Sequence, residues 1–440
     1  MSKAIAKLEE QGVRAVRLLY SDLHGIARGK DIPIAKFEGL AEEGVAFCAA
    51  VMATDLRHTP VVGGEEGYVD FAVTPDLSTL RVVPWTPDVA WCVGDCRLPD
   101  GTGPAPTCPR SLLARVTARY AEHGLVPTVG PELEFFLLER DPDAPGGLRR
   151  YVDELSRVYT VGLISDPRGI VLDMLYACEA LDLRVFAANH EFMNSQYEIN
   201  VEHSDALDAA DRAFPLKTAV KELAARQGMV ATFMGKPFND QGGSGFHVHL
   251  SLGNAEGGNA FDDSGPPHGL GLVRSQFVAG LIEHGPALMA VLAPTVNAYK
   301  RLVPDSLAPT HVNWGLDNRT AFVRVPNEHG RRSRVEVRGG DGSACAHLVV
   351  AALLIAGLDG IERGLEPGDA VTGDGYRAES GAPLPRDLGA ALDALDADEV
   401  MRSALGEGLV DTFFAMKRFE LDRFSQWVTD WELDEYARHL

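Results

Sequence analysis

The stretch Gly130-Pro131-Glu132-Leu133-Glu134-Phe135-Phe136-Leu137 decides how the chain reads. Pro127-Thr128-Val129 leads into it, and the aromatic and aliphatic residues that follow suit a half-buried pleated surface, so it is predicted as a strand. A strand alternates sides with a period of two, which puts Glu132 and Glu134 on one face. Two carboxylates side by side in an apolar strand repel each other, and burial disfavours their charged forms further. Taken alone the pattern also suits a solvated edge strand. Buried, it demands nearby positive charge.

Three other strand-like stretches carry ionisable groups at the same spacing. His247 and His249 lie in Gly242-Gly243-Ser244-Gly245-Phe246-His247-Val248-His249-Leu250, and Glu336 and Arg338 in Arg334-Val335-Glu336-Val337-Arg338. Arg319 precedes Phe322-Val323-Arg324-Val325, and Glu191 and Glu198 flank an irregular turn. Each alone has a bland reading: a surface histidine pair, an exposed ion pair worth under about 1 kcal/mol, a solvated loop. Together Glu132, Glu134, Glu191, Glu198 and Glu336 with His247 form an oxygen-rich set with one imidazole. That suits hard divalent cations, Mg2+ or Mn2+, rather than zinc, and two cations would balance most of the charge. Arg301, Arg319, Arg324, Arg334 and Arg338 supply planar forks for carboxylate and phosphate. Metals with arginines point to phosphoryl transfer, which rests on charge stabilisation and positioning and needs no Walker-type loop.

The rest of the composition bounds the answer. A length of 440 residues allows two to three domains, and 45% hydrophobic residues suffice for a core. A net charge of -22 argues against a nucleic-acid or anionic-membrane binder. The six cysteines form no Cys-x-x-Cys pair, which fits a reducing compartment without structural zinc. With no secretory leader pattern and no bilayer-length apolar run, a soluble cytoplasmic protein is expected. Breakers crowd between Pro99 and Pro109, so a linker is placed there, separating a small α+β domain (1–105) from a larger one (106–440). Within these, strands are predicted near 13–20, 44–52, 80–85 and 229–234. Helices are predicted from 110, over 166–181, 210–227 and 345–363, and through much of 385–440.

The chain resembles the class I glutamine synthetase family. The motifs that carry the resemblance run from Asp22-Leu23-His24-Gly25 and Pro75-Asp76-Leu77-Ser78-Thr79-Leu80-Arg81 through the two strands quoted above. They continue to Asn297-Ala298-Tyr299-Lys300-Arg301-Leu302, Asn318-Arg319-Thr320 and Glu336-Val337-Arg338. The resemblance implies an α+β glutamine synthetase fold: an N-terminal β-grasp domain over 1–105, and over 106–440 a catalytic domain with a curved antiparallel sheet flanked by helices. It implies a homo-oligomer, a dodecamer of two hexameric rings with active sites between neighbouring subunits. One metal would be held by Glu134, Glu191 and Glu198, another by Glu132, His247 and Glu336, giving two or more per site. His249, Ser251 and Arg324 would lie beside ATP; Gly243, Arg301, Arg319 and Arg338 would meet glutamate; Arg319 and Arg324 would act on the phosphates during catalysis. In the family the γ-carboxylate of glutamate attacks ATP to give γ-glutamyl phosphate, and an amine then displaces phosphate.

Departures from the family concentrate at the nitrogen-donor site. Leu307 stands where a flap glutamate closes the site, and Cys48-Ala49-Ala50-Val51 replaces an Asp-Gly-Ser-Ser whose aspartate helps bind ammonium. An amine with a pKa of about 10 is neutral in roughly one molecule per thousand at pH 7, so losing both anions disfavours ammonia. The expected activity is therefore ATP-dependent ligation of glutamate to an organic amine, of the γ-glutamylpolyamine or γ-glutamylethanolamide synthetase type. The apolar character of Cys48, Val51 and Leu307 leans toward a monoamine or aromatic amine. Glu65 and Glu66, otherwise solvated loop residues, offer a polyamine's distal ammonium a partner. The alternatives are glutamine synthetase using ammonia, and a non-catalytic structural or nitrogen-sensing protein. Gly242 in place of an asparagine leaves the acid open, Asn194-Ser195-Gln196 replaces Pro-Gly-Gln, and no Asn-Leu-Tyr-Asp-Leu-Pro stretch for adenylylation is present.

Overall fold

A computed structural model describes residues 2–65, 67–152, 158–262, 269–377, 379 and 381–440; Glu66 lies outside the described residues. The stretch quoted first is the middle of a strand, Leu125–Arg140. Its odd positions from Pro127 to Leu133 are buried, while Thr128, Gly130 and Glu132 between them are half-buried. The two faces thus differ: one belongs to the core, the other lines an opening. Phe246–Asn254 pairs with it on one side, and Gln196–Val201, Ser204–Asp205, Met229–Thr232 and Leu148–Arg150 pair elsewhere along its length. A strand with partners on both edges is not a solvated edge.

This strand centres a ten-stranded sheet whose main path runs Trp314–Leu316, Val323–Val325, Val335–Val337, Phe246–Asn254, Leu125–Arg140, Gln196–Val201, Val185–His190. Pairing along the path is antiparallel except between Trp314–Leu316 and Val323–Val325, which are parallel. Helices Pro109–Glu122 and Ala206–Arg226 pack on the central strand, and Ala346–Arg363 packs on both of them. Ala346–Arg363 is buried on nearly every side, as its Ala- and Leu-rich composition predicts, and ends on Gly364 in the left-handed conformation.

A six-stranded sheet occupies the N-terminal part, in the order Ala27–Pro33, Ala15–Ser21, Val89–Arg97, Asp70–Pro75, Val45–Cys48, with Arg81–Val82 on Val89–Arg97. Ala15–Ser21 and Val89–Arg97 run parallel, and the Ile34–Glu43 helix buries Ile34, Phe37 and Ala41. Leu19, Leu23, Val83, Trp91 and Val93 of this part pack into the main core. The Asp22–Gly25 turn seats the junction. Asp22 is buried, accepts from the His24 and Ile26 amides (2.9 Å each) and pairs with Arg28 (2.8 Å). Gly25 has φ +72°, and a Cβ there would stand 2.8 Å from Cys345 Cα. Arg110, buried at the other side of the junction, pairs with Asp76 (2.6 Å), Asp95 (2.5 Å) and Asp211 (2.7 Å).

Local capping shifts several predicted boundaries. The helix predicted from 210 begins at Ala206, because Asp205 accepts from the Asp208 amide, and it carries Pro215 without ending. The helix predicted from 166 begins at Ile170, because the Asp166 carboxylate caps the amides of Ile170 and Val171. The strand predicted over 44–52 stops at Cys48 and becomes a tight Ala49–Ala53 turn of helix. That over 80–85 shrinks to Arg81–Val82. Among the described residues no helix is long and apolar enough to cross a membrane.

His284 joins three helices. Its Nδ1 meets Asp398 at 2.6 Å and its Nε2 meets Asp359 at 2.9 Å. Burial lowers its pKa, but the two carboxylates outweigh burial and hold it above the ordinary histidine value. A folded-state pKa above the unfolded value of about 6.5 means that the stabilisation is complete below that pH and is lost as pH rises through the folded pKa. His284→Gln is expected to cost about 2 kcal/mol at pH 6, because it leaves the half-buried Asp398 without a cation, whereas Asp359 keeps Arg363 at 2.7 Å. The difference from wild type should narrow toward pH 9. Denaturant midpoints measured across that range check it; a gap independent of pH would exclude the imidazolium clamp.

Candidate active site

Strand register assembles the site. His247 lies opposite Glu132, and His249 opposite Gly130. Glu198 lies opposite Glu134, and Asn200 opposite Glu132. Glu336 lies opposite His249, and Arg324 opposite Glu336. Directly opposed residues of antiparallel strands point to the same side of the sheet, so these groups share one face, the half-buried face of the central strand. Glu191 joins them from the end of Val185–His190. Its amide donates to the Gln196 carbonyl at 2.9 Å, and its carboxylate accepts from Asn189 Nδ2 at 2.6 Å. The Gly243-Ser244-Gly245 approach needs glycine. A Cβ at 243 would lie 2.1 Å from the Gly235 carbonyl, and one at 245 would lie 2.6 Å from His247 Nε2.

The carboxylates are unequal. For Glu132, burial favours the protonated form, but the neighbouring imidazoles of His247 and His249 prevail and hold its pKa far below the usual carboxylate range. Burial also opposes charge on Glu336, yet Arg338, His249 and His247 hold it at about 2. Glu198 is pushed well up by burial and by the charges of Glu132, Glu134 and Glu191. Glu191 is pushed up to about 7 by burial and by Glu134. Positive charge is thus supplied at the Glu336 end and wanting at the Glu198 end.

Two observations test whether these residues fit a divalent cation. His247 is 7% exposed, and its Nε2 is buried without a hydrogen-bond partner among the described residues, an expensive state for an imidazole nitrogen unless a ligand takes it. Ligand atoms of Glu132, Glu198 and His247 all lie within 4.8 Å of one another, as do those of Glu132, His249 and Glu336. The donor chemistry fits Mg2+ or Mn2+. Proximity groups the residues differently from the partition expected above: Glu132 enters both groups, and His249 stands with Glu336. His247 Nδ1 is nonetheless 3.8 Å from Glu132 and 3.9 Å from Glu336. Arg334 Nε donates to His249 Nδ1 at 3.2 Å, so a neutral His249 carries its proton on Nε2 and donates to Glu132 Oε1 at 3.1 Å.

The arginines divide by their partners. Arg324 bonds Glu336 (2.7 Å) and Asp317 (2.9 Å). Arg338 bonds Glu336, the Arg319 carbonyl (3.0 Å) and the Leu307 carbonyl (3.2 Å). Arg301 is 4% exposed, and its Nη1 is buried without a partner, so it keeps capacity for an anion. The Arg319 side chain is exposed on a turn rather than on a strand face. His249 and Ser251 line a cavity of about 330 Å³ with Phe186, His203, Arg331 and Arg334. Cys48 and Val51 stay in the N-terminal sheet, at the edge strand Val45–Cys48 and the turn after it, whereas Leu307 stands on the loop held by Arg338.

Several neighbours of the site make contacts that the sequence did not reveal. Gln196 Nε2 donates to Glu134 (2.7 Å) and to the Gly243 carbonyl (3.0 Å), fixing the carboxylate between two strands. Asn200 Nδ2 holds Glu198 at 2.6 Å. Ser195, where the family has glycine, takes φ +65° and is tied by its hydroxyl to both the amide (2.7 Å) and the carbonyl (3.1 Å) of Val152. Gly242 faces Met193, whose Cε would be 3.2 Å from an added Cβ, so an asparagine would have to displace it.

Comparison with known proteins gives a consistent picture. Residues 106–436 match the family described as glutamine synthetase, catalytic domain. The chain is 34% identical over 449 residues to a glutamine synthetase of Halobacterium salinarum, covering 98% of this chain and 94% of that one. It is 36% identical over 444 residues to one of Thermotoga maritima, covering 98% and 97%. A solved structure titled as a GmaS/ADP complex superposes with a TM-score of 0.88 at 33% identity over 100% of both chains. Another, titled a novel glutamine synthase homolog, gives 0.82 at 30% identity, covering 97% and 98%.

Because burial and crowding of carboxylates raise the pKa of Glu198 and Glu191, adding Mn2+ at pH 7 is expected to release protons and raise the melting temperature. The stabilisation should reach about 2.7 kcal/mol at a hundredfold excess over the dissociation constant. Glu198→Gln should reduce the proton release. Indicator titration and thermal melts read both; stabilisation without proton release would remove the crowded-carboxylate account.

Proposed function

The chain belongs to the glutamine synthetase family, whose members are ATP-dependent ligases that use divalent metal ions, and we propose that it joins the γ-carboxylate of glutamate to an organic amine through γ-glutamyl phosphate. The observation that carries this reading is Leu307. Its apolar side chain is 37% exposed, and by the family resemblance it stands at the flap position that carries a glutamate in glutamine synthetases. A leucine cannot take a proton from ammonium, but it can pack against an alkyl or aryl substituent. The structural neighbours titled GmaS, one of them an ADP complex, agree over the whole chain with a ligase of this build. The relatives' names favour the competing reading, glutamine synthesis from ammonia.

In this reading the buried Arg301 binds a carboxylate of glutamate through the fork left unpaired, while Arg338 orients the acid from the opposite side. Arg324 and Arg319 face the phosphates, and His249 with Ser251 borders the nucleotide cavity. Glu132, Glu134, Glu191, Glu198, His247 and Glu336 would hold the cations. When bound, these supply the positive charge that stabilises the transferring phosphoryl oxygens. Glu336, anchored to two arginines, keeps Arg324 and Arg338 in fixed orientation, so the anion-binding groups need no rearrangement. We also propose that Cys48 and Val51, on the exposed edge of one subunit's N-terminal sheet, complete the amine site of a neighbouring subunit in a dodecamer of two hexameric rings.

Incubation of the protein with ATP, glutamate, Mg2+ and each of ammonium, methylamine, isopropylamine, ethanolamine, putrescine and aniline is expected to yield a γ-glutamyl amide of an organic amine in excess over glutamine. Mass identification of the product checks it; glutamine as the preferred product would return the protein to ammonia use. Leu307 already has φ +57°, so Leu307→Glu adds no new backbone strain. That variant is expected to raise the ratio of ammonia to organic amine use by about tenfold or more, the lower range of a restored general base. An unchanged ratio would take donor choice away from this loop.

A further inference from the structure

Antiparallel register also places groups on the far face of the sheet. Asn189 lies opposite Glu198, and His190 lies opposite Tyr197. Opposed residues share a side and successive residues alternate, so Asn189 faces the carboxylates while His190 and Tyr197 turn the other way. Asn189 Nδ2 accordingly holds Glu191 at 2.6 Å, and the His190 ring meets the Tyr197 ring edge-on, 5.2 Å between centroids. His190 is 3% exposed, and both of its ring nitrogens are sealed from solvent without a hydrogen-bond partner among the described residues. That state is expensive. A neutral imidazole presents one N–H donor and one bare nitrogen, and each has lost its hydration with nothing in return.

The imidazole borders a cavity of about 250 Å³ between this face, residues 160–169 and the helix Ile170–Ala180. Its walls are mainly apolar, from Val161, Leu163, Val171, Leu172, Leu175 and Ala188. Among the described residues Asp166 is the one acidic group lining it, and no lysine or arginine does. The Asp166 carboxylate is already engaged by the Tyr151 hydroxyl (3.0 Å) and the amides of Ile170 (3.0 Å) and Val171 (2.8 Å). Ser165 Oγ donates to the Gly162 carbonyl at 3.2 Å, and the Tyr197 hydroxyl donates to the Ser165 carbonyl. His190 thus brings spare hydrogen-bonding capacity to an otherwise satisfied, apolar wall.

We infer that this cavity is a binding site for a small neutral hydroxyl compound of about the size of phenol, with the hydroxyl on the His190 imidazole and the hydrocarbon part against Leu163, Leu172 and Leu175. Charge selects against the other candidates. An anion would meet Asp166 and no cationic partner, and an ammonium ion would find the Asp166 oxygens taken and apolar walls in place of its hydration shell. A lone water needs two to four polar partners, whereas the cavity offers it one imidazole. A hydroxyl both donates and accepts, so it satisfies whichever ring nitrogen it meets, and the rest of the molecule leaves water for apolar surface. A dry cavity of about 150 Å³ suffices to hold benzene, so the volume here admits a six-carbon ring with its hydroxyl. Because the cavity and the metal-ligand carboxylates lie on opposite faces of the sheet, its occupant does not compete with substrates.

Calorimetric titration of the assembled protein at pH 7 with phenol, toluene and benzoate tests the site. Phenol is neutral at that pH, toluene has nearly its shape without the hydroxyl, and benzoate is ionised. Saturable binding of phenol about tenfold tighter than that of toluene is expected, the scale of one hydrogen bond to a buried group, with benzoate not bound. In His190→Leu the ratio of phenol to toluene affinity should fall to within about twofold of unity, because the hydrogen bond is gone and the apolar walls remain. In Ala188→Leu, which fills space and keeps the imidazole, both ligands should be lost. Should His190→Leu fail to fold, the wild-type preference and Ala188→Leu still decide. Absence of saturable phenol binding, equal affinity for toluene, or preference for benzoate would overturn the inference. So would phenol binding unchanged in both variants, which would put the ligand elsewhere, and binding seen only after subunits are dissociated, which would mean that a neighbouring copy fills the cavity.

Discussion

The antiparallel register of Leu125–Arg140 against its neighbours is the constraint on which the site depends. Pairing His247 with Glu132 and Glu198 with Glu134 leaves no freedom in which face each side chain takes, since a one-residue slip would send the whole set into the apolar core. The core enforces the register from the other face, where Val129, Leu133 and Phe135 are buried. Packing thus holds together carboxylates that repel one another. The electrostatic cost appears in the raised pKa of Glu198 and Glu191, and it is already offset at Glu336, where two arginines bind one carboxylate.

Those arginines link the chemistry of the acid to the choice of amine. Arg338 spans Glu336 on the sheet, the Arg319 carbonyl and the Leu307 carbonyl, so the flap turn is an extension of the anion site and not an independent loop. Leu307 and Asp305 keep strained backbone angles because Ser306 and Arg338 hold them there. Under the proposed ligase reading, changing the residue at the flap would alter donor chemistry while leaving the strand face of Glu132 and Glu336 in place, so one scaffold could change its nucleophile and keep its phosphoryl chemistry.

Period-two spacing made the Glu132 and Glu134 pair, the histidine pair and the Glu336 motif legible in the chain, because alternation is a local property of extended backbone. The long buried helix Ala346–Arg363 was legible for the same kind of reason, from its composition. Boundaries set by single caps were less so: the Asp205 and Asp166 side chains move two helix starts by several residues. Ser195 in place of glycine was legible as a departure, but its support by Val152 was not.

By itself the sequence determined which ionisable groups share strand faces, and its ordered motifs carried the resemblance to a family of ATP-dependent ligases. The first follows from spacing within single strands, the second from residue identities at many places along the chain. Only the tertiary structure decided which carboxylate faces which imidazole, that Arg334 sets the tautomer of His249, and that Arg338 holds the loop of Leu307. Those relations depend on register and on contacts between segments remote in sequence, which packing of the whole core selects and no local pattern encodes.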